Sequence, residues 1–381
     1  MMIYLLLAAG LFMGWSLGTN DAANAFGTAV STRVIKYRTA IIIIAIMVML
    51  GAILLGQNNI DKLSSIATNN EVVAGVDDLE GVGVEYEKDE EGNFVLDENK
   101  KPVVSSTENV DDAKLKELRL KSALKAFIVF TCAALTVFIM SYLKFPVSAN
   151  QSITGAVIGW GLCYANYDNP EVLSTNLAEM LEFASTWLIN PLGAALISFV
   201  LVFIVKKFIE KRLTSMKSYD VIVKIGYLIA GAFAAFSIGQ NSSASVTAFY
   251  YDATGLGANL LTSARVTAII GGLAIAIGVL TFSKRVMMTV GGSIAEISQV
   301  DGFVVIVAMA LTVLLMGKFM GIPVSTSQSV VGAVVGAGLV NGVKNVNFGV
   351  FKRIAIAWVS SPLSAGLLTY IIAIATKSYF A

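Results

Sequence analysis

Asn20, Asp21 and Asn24 stand within five residues, in a run that is otherwise largely apolar from Ile3 to Val30. Two amides and a carboxylate are hard oxygen donors, suited to Na⁺ or to proton exchange and unsuited to soft metals. A carboxylate at mid-membrane depth costs at least about 2.5–3.5 kcal/mol on insertion scales, so it needs a cation, a donor or a proton to offset it. Gly18 and Asn20 favour a break in the helix at this point, which would add free backbone groups to the ligand set. Capping of a helix starting at Ala22 is the plainer role for Asn20 or Asp21. Three polar residues in five exceed what a cap needs.

A second polar pattern occurs twice. Pro146-Val-Ser-Ala-Asn-Gln-Ser152 and Pro323-Val-Ser-Thr-Ser-Gln-Ser329 each precede a Gly/Ala-rich stretch long enough for only a short helix. Proline can begin a helix but not lie comfortably inside one. The pattern therefore predicts two re-entrant hairpins with tips buried near the membrane midplane, where non-helical backbone survives only inside protein or beside water. A helix N-terminus carrying hydroxyls and amides offers neutral donors and the positive end of its dipole, which is an anion site. Ser148, Asn150, Ser152 and Thr154 from one tip, with Ser325, Thr326, Ser327 and Ser329 from the other, are the candidate anion ligands. No Arg or Lys lies in these segments, so the anion's charge must be balanced by co-bound cations. Asn20, Asp21, Asn24, Gln151 and Gln328 are the candidate Na⁺ ligands. Gly155-xxx-Gly159 and Gly332-xxx-Gly336 read as close helix packing. Arg265 and Lys318 read as snorkelling at span edges, and Glu296 and Asp301 as solvated charges beside a span.

The elements that must hold these residues are membrane helices. Of 381 residues, 56% are hydrophobic and 14% charged, against roughly 25% charged in an ordinary soluble domain. Such a chain cannot coat a soluble surface, and with a net charge of +1 it has no basic surplus for nucleic acid. There is no histidine, and Cys132 and Cys163 form neither a disulfide framework nor a zinc site. A serine hydrolase would lack its base, since no Lys is placed beside Ser148 or Ser325. Apolar stretches at 3–32, 39–57, 122–143, 191–209, 221–238, 262–282, 301–320 and 354–376 approach or exceed the roughly 20 residues that span a bilayer. The start lacks a basic region and reads as a first membrane helix, not a cleaved signal. Basic clusters at Arg33–Arg38, Lys206–Lys217 and Lys284–Arg285 predict the cytoplasmic side and place the N-terminus outside. Residues 58–121 depart from the pattern: they hold sixteen of the 26 acidic residues and read as a soluble insertion with a helix near Asp111–Lys121.

The chain contains itself twice. Phe145–Gly159 and Ile322–Gly336 agree at nine of fifteen positions. Trp187-Leu-Ile-Asn-Pro191 matches Trp358-Val-Ser-Ser-Pro362, and Gly18–Asn24 corresponds to Gly239-Gln-Asn-Ser-Ser-Ala-Ser245. The expected architecture is an all-α polytopic membrane protein built from two inverted-topology repeats, 1–212 (carrying the insertion) and 218–381, with discontinuous helices and paired re-entrant hairpins. Duplicated halves with polar interruptions at matching places point to a secondary transporter working by alternating access.

Taken together, Gly18-Thr-Asn-Asp-Ala-Ala-Asn-Ala-Phe-Gly-Thr28, the two Pro-Val-Ser-x-x-Gln-Ser copies and Val286-Met-Met-Thr-Val-Gly291 resemble the inorganic phosphate transporter (PiT) family. The resemblance covers nearly the whole chain except the insertion. It implies a Na⁺- or H⁺-coupled phosphate symporter in the cell (inner) membrane, with the anion between two hairpin tips, no cofactor beyond the transported ions, and a homodimer. The expected partners are phosphate, Na⁺ and the lipid bilayer. Many members repeat the acidic motif in the second half, whereas Ser242 stands here opposite Asp21. Gln240 and Asn241 remain as neutral Na⁺ ligands. Neutral amides take up no proton, which favours Na⁺ over H⁺ coupling. The competing expectations are an H⁺-coupled phosphate or sulfate carrier of the same fold and an anion channel. The insertion is expected to be dispensable: a chain lacking most of residues 61–115 should retain phosphate uptake in proteoliposomes.

Overall fold

The computed structural model describes residues 6–60, 64, 76–88, 95, 103–107, 109–143, 147–164, 170–208, 215–251, 263–284, 287–288, 297–320 and 324–380. Pro146, Pro323, Lys211, Arg212, Arg285, Thr289–Gly292 and Glu296 lie outside these residues.

The chain opens with α1 (Ala8–Ser31) and α2 (Tyr37–Leu55). Helix α1 is buried on nearly every side, Asn20, Asp21 and Asn24 included, as expected of a helix enclosed by others. It runs without interruption through Gly18 and Asn20, so the expected break is absent. Gly18 has another use. A Cβ there would collide with the Ile275 carbonyl oxygen of a neighbouring helix, so the missing side chain permits close packing and leaves the backbone helical. The helix ends at Arg33, whose positive φ of 62° turns the chain out.

Within the insertion lie α3 (Val76–Glu80) and a two-stranded antiparallel ribbon, β1 (Glu85–Tyr86) with β2 (Val104–Ser106). Leu79, Val82, Val84, Tyr86 and Leu115 form its small separate core. Leu115 belongs to α4 (Asp112–Tyr142), which joins the expected soluble helix and the following span into one element. No Gly or Pro interrupts that stretch. Asp111 caps it, Oδ1 accepting from the Ala113 and Lys114 amides at 3.0 and 3.1 Å.

Next come α5 (Ala149–Tyr164), α6 (Pro170–Phe208), α7 (Met216–Thr247), α8 (Ala264–Phe282), α9 (Gln299–Met320), α10 (Thr326–Asn341) and α11 (Phe348–Phe380). Helices α6 and α11 pass through Pro191 and Pro362 and begin well before the expected spans. Proline is tolerated in a membrane helix where neighbours re-satisfy the backbone. Among the described residues seven helices, α2, α4, α6, α7, α8, α9 and α11, are long and apolar enough to cross a membrane. At 16 residues each, α5 and α10 are about 24 Å long, short of a hydrocarbon core about 30 Å thick.

Contacts between helices are reciprocal. Helix α5 packs on α11 as α10 packs on α6, α1 on α8 as α7 on α2, and α4 on α11 as α9 on α6. Exchanging α1, α2, α4, α5 and α6 for α7, α8, α9, α10 and α11 maps each of these contacts onto another. Glycine permits the tightest crossings. A Cβ on Gly155 or Gly159 would strike the backbone of Pro362 or Gly366, and one on Gly332 or Gly336 that of Pro191 or Ala195. The expected packing role of these glycines therefore holds.

Asp301 corrects the expectation of a solvated charge. Its side chain is buried, with Oδ2 3.4 Å from Lys206 Nζ. An isolated carboxylate would be costly at this depth in protein, and the lysine at the end of α6 supplies the pairing charge. Arg265, by contrast, is exposed at the start of α8.

Backbone contact makes a specific stability contrast. Gly155→Ala should lower the thermal midpoint in detergent by several degrees, an overpacking cost of about 1–3 kcal/mol. Gly27→Ala, whose Cβ would meet nothing nearer than 3.6 Å, should leave the midpoint unchanged or raise it.

Candidate functional site

The N-terminal ends of α5 and α10 meet in the interior, and two backbone carbonyls organise the meeting. Val147 O accepts from Asn20 Nδ2 of α1 at 2.9 Å and from Ser327 Oγ of the opposite tip at 3.1 Å. Val324 O accepts from Asn241 Nδ2 of α7 at 2.8 Å and from Asn150 Nδ2 of the opposite tip at 2.9 Å. By the register of the two halves, Asn20 corresponds to Asn241 and Asn150 to Ser327. Each tip is thus tied to a helix of the central pair α1/α7 and to the other tip by matching bonds. Asn241 adds one more, its Oδ1 accepting from the Val324 amide at 2.8 Å.

Serine caps both short helices. Ser148 Oγ accepts from the Gln151 amide at 3.3 Å, and Ser325 Oγ from the Gln328 amide at 3.1 Å. These bonds satisfy one of the unpaired donors at each helix start, and the others face out of the helix end toward the junction.

Asp21, 3% exposed, lies beside the second tip. Asn24 Nδ2 stands 3.1 Å from Asp21 Oδ1, 3.2 Å from Thr326 Oγ1 and 3.3 Å from Ser327 Oγ. One amide therefore gathers a carboxylate and two hydroxyls. At the equivalent place on α7, Ser242 accepts from Asn241 at 3.3 Å. The junction carries a carboxylate on one side only.

Several buried side-chain atoms around the junction have no hydrogen-bond partner among the described residues: both amide atoms of Gln151, Oε1 of Gln328 and of Gln240, Oδ1 of Asn150, and Oγ of Ser245. Leaving such a group unsatisfied costs about 1–3 kcal/mol, so this concentration marks a place shaped for polar occupants. Gln151 and Gln328 also form the polar end of a cavity of about 540 Å³ walled by Trp187, Pro191, Phe351 and Trp358. Among the described residues no group of three or more His, Cys, Asp or Glu side chains converges to hold a metal. The donor set is neutral oxygens plus one carboxylate, which fits a hard cation and not a soft metal.

The structure brings most of the expected residues together. Asn20, Asp21, Asn24, Asn150, Asn241, Ser148, Ser325, Thr326 and Ser327 surround the junction, with Gln151 and Gln328 behind it. Three hydroxyls are committed elsewhere: Ser152 donates to Ser148 O at 3.3 Å, Thr154 to Asn150 O at 2.9 Å, and Ser329 to Asn190 Oδ1 at 2.7 Å. The Gln240 side chain is buried beside Gly317 of α9, where an added Cβ would lie 3.5 Å from its Nε2. Sequence reasoning missed Val147 and Val324, since a carbonyl has no residue signature. It also missed Asn190, which stands in the quoted Trp-x-x-Asn-Pro match without attracting a role.

With this geometry in place, likeness to known proteins becomes informative. The model of the phosphate transporter family matches residues 17–228 and again 210–369. The chain belongs to the phosphate transporter family. The curated relatives of this phosphate transporter family member include a putative phosphate permease of Pyrococcus abyssi, 26% identical over 97% of this chain and 96% of that one. Another is the chloroplastic inorganic phosphate transporter 2-1 of Arabidopsis thaliana, 24% identical over 98% of this chain and 72% of its own length. The fold of this phosphate transporter family member is that of a solved structure named the sodium-dependent phosphate transporter. The two superpose with a TM-score of 0.70 at 22% identity, over 99% of this chain and 100% of that one.

The two halves of the junction differ in a measurable way. Asn241→Ala removes a donor and an acceptor from Val324, whereas Asn20→Ala removes one donor from a carbonyl that keeps Ser327. Asn241→Ala should therefore lower thermal stability in detergent more than Asn20→Ala, by about 1 kcal/mol.

Proposed function

We propose that this protein is a secondary symporter that imports inorganic phosphate with Na⁺ by alternating access. The observation that carries the proposal is the junction itself: two helix N-termini face one another, with a single buried carboxylate at its edge and no Lys or Arg among its ligands. Phosphate lies between the tips, held by backbone amides, that of Ser327 included since its hydroxyl donates to Val147 O, and by Ser148, Asn150, Ser325 and Thr326. Ser152, Thr154 and Ser329 stand one turn behind and support the tips. An oxyanion bound without Arg needs other positive charge, and Coulomb attraction is strong at low dielectric. Na⁺ supplies it, held by Asp21, Asn20 and Asn24 and by the amide oxygens of Gln151, Gln328, Gln240 and Asn241. Asp21 repels the anion directly, so its role is that of a cation ligand.

The two halves, 1–212 and 218–381, are inserted with opposite topology, and α5 and α10 are the re-entrant limbs of the hairpins. The reciprocal contacts support this arrangement. Exchanging the roles of matching helices converts a site open to one side into a site open to the other at similar energy. The protein acts in the cell membrane as a homodimer, with the basic span ends inside.

The test is uptake of labelled phosphate into proteoliposomes, with an inward Na⁺ gradient, with K⁺ in place of Na⁺, and with excess sulfate. Na⁺-dependent uptake resistant to sulfate is expected. Uptake indifferent to Na⁺ and driven by a pH gradient would replace Na⁺ with H⁺. Asp21→Asn should abolish Na⁺-driven uptake in a folded protein, and Ser325→Ala should weaken apparent phosphate affinity several-fold.

A further inference from the structure

Two side chains of α6 hold α10 at its two ends. At the tip, Asn190 is 1% exposed. Its Nδ2 donates to Ser325 O at 2.7 Å, and its Oδ1 accepts from Ser329 Oγ at 2.7 Å. At the far end, Lys206 pairs with Asp301 and donates to Asn341 Oδ1, while Asn341 Nδ2 donates to Asp301 Oδ2 at 3.0 Å.

The matching helix α11 treats α5 differently. Ser361 stands at the place of Asn190, and its hydroxyl donates to Trp358 O in its own helix at 3.5 Å. Ser152, the counterpart of Ser329, lies 3.3 Å from Ser148 O as Ser329 Oγ lies 3.0 Å from Ser325 O, but among the described residues it has no contact matching the 2.7 Å bond of Ser329 to Asn190. At the far end, the 177-residue offset between the tips places Leu124 where Asp301 would be and Tyr164 where Asn341 would be. Lys377 stands at the place of Lys206 and donates to the Cys163 carbonyl at 3.3 Å, and Tyr164 donates to Ala373 O at 3.1 Å. Among the described residues, no side chain of α11 hydrogen-bonds the first turn of α5. Glycine packing is shared by both pairs. The polar clamp at the tip belongs to one.

We propose that Asn190 is a positioning residue of the anion site, which fixes the Ser325–Ser329 turn and makes the second tip the stationary wall against which the first tip moves. This rests on the reading of the tips as the phosphate site. Asn190 orients the Ser325 carbonyl and draws the Ser329 hydroxyl away from the junction. The first turn of α10 thereby presents its cap and its free amides in one arrangement. The first tip, joined to α11 by packing alone at this turn, is the one able to slide during the cycle. The far end strengthens the difference: α10 is tied to a buried ion pair, and α5 is not.

Two measurements test the proposal. Hydrogen–deuterium exchange on the full chain in detergent reads the clamp without any substrate. In the wild type, amides in the first turn of α5 should exchange faster than those in the first turn of α10. Asn190→Ser, which installs the residue found at the matching place on α11, should speed exchange at 326–331 and leave 150–155 unchanged. Equal exchange in the two wild-type turns, or no effect of Asn190→Ser, would overturn the clamp. Phosphate uptake reads its link to the site. Asn190→Ser should raise the KM for phosphate about tenfold, with the maximal rate and the half-saturating Na⁺ concentration kept within about twofold. Combining it with Ser329→Ala should raise KM by less than the product of the single effects. Faster exchange with unchanged KM, or a parallel loss of rate, Na⁺ response and thermal stability, would reduce Asn190 to a purely structural role. Should Asn190→Ser fail to fold, Ser329→Ala alone removes one of the two bonds and should give the same exchange pattern with a smaller rise in KM. A wild-type chain that takes up no phosphate would overturn the substrate assignment, and the exchange comparison would still decide the clamp.

Discussion

Two backbone carbonyls in the protein interior must be satisfied, and the way Val147 and Val324 meet that demand shapes everything around them. Each precedes a short helix that ends inside the molecule, where water is scarce and an unmade hydrogen bond is expensive. Each is served by an asparagine from α1 or α7 and by a polar side chain from the opposite tip. The two tips are consequently held face to face, and their helix ends are aimed at a common space. The polar residues of α1 follow from the same constraint. Asn20 is a structural donor first, and its position brings Asp21 and Asn24 to the edge of that space.

Close helix packing allows the junction to lie so deep. Where Gly18, Gly155 and Gly332 stand, the partner backbones approach too closely for any side chain. Small residues at such crossings gain dispersion contacts that lipid cannot replace. They also seat the short helices against their neighbours along their flanks. The buried polar atoms of Gln151, Gln328 and Asn150 are affordable in that rigid frame, because the tips cannot collapse onto them.

Much of this was legible in the sequence. The repeated Pro-Val-Ser-x-x-Gln-Ser segments announced two short helices with polar starts, and the Gly-xxx-Gly pairs announced how those helices would pack. Asp21 stood out because a carboxylate in an apolar run needs a reason. The unbroken α1 was not legible, because Gly18 serves two purposes with the same residue: it can loosen a helix or admit a neighbour, and only the partner at Ile275 decides. The pair of Lys206 with Asp301 joins residues from different halves, and neither neighbourhood names the other. Pro191 reads as the start of a span, whereas its helix begins at Pro170, since proline's tolerance in a helix depends on packing that spacing does not encode. The carbonyl junction is backbone chemistry and leaves no trace in residue types beyond the asparagines that serve it.

The cross-packing of the halves has a consequence for biosynthesis. Helix α5 finds its largest partner surface on α11, made long after it, whereas α10 finds its own on α6, which is already in place. During translation the glycine face of α5 therefore remains uncovered until α11 has been made. The second tip can dock as soon as it emerges, and the first must wait. Folding of the earlier half is in this sense finished by the later one, and a ribosome stalled before α11 would leave α5 with α4 beside it but without its largest partner.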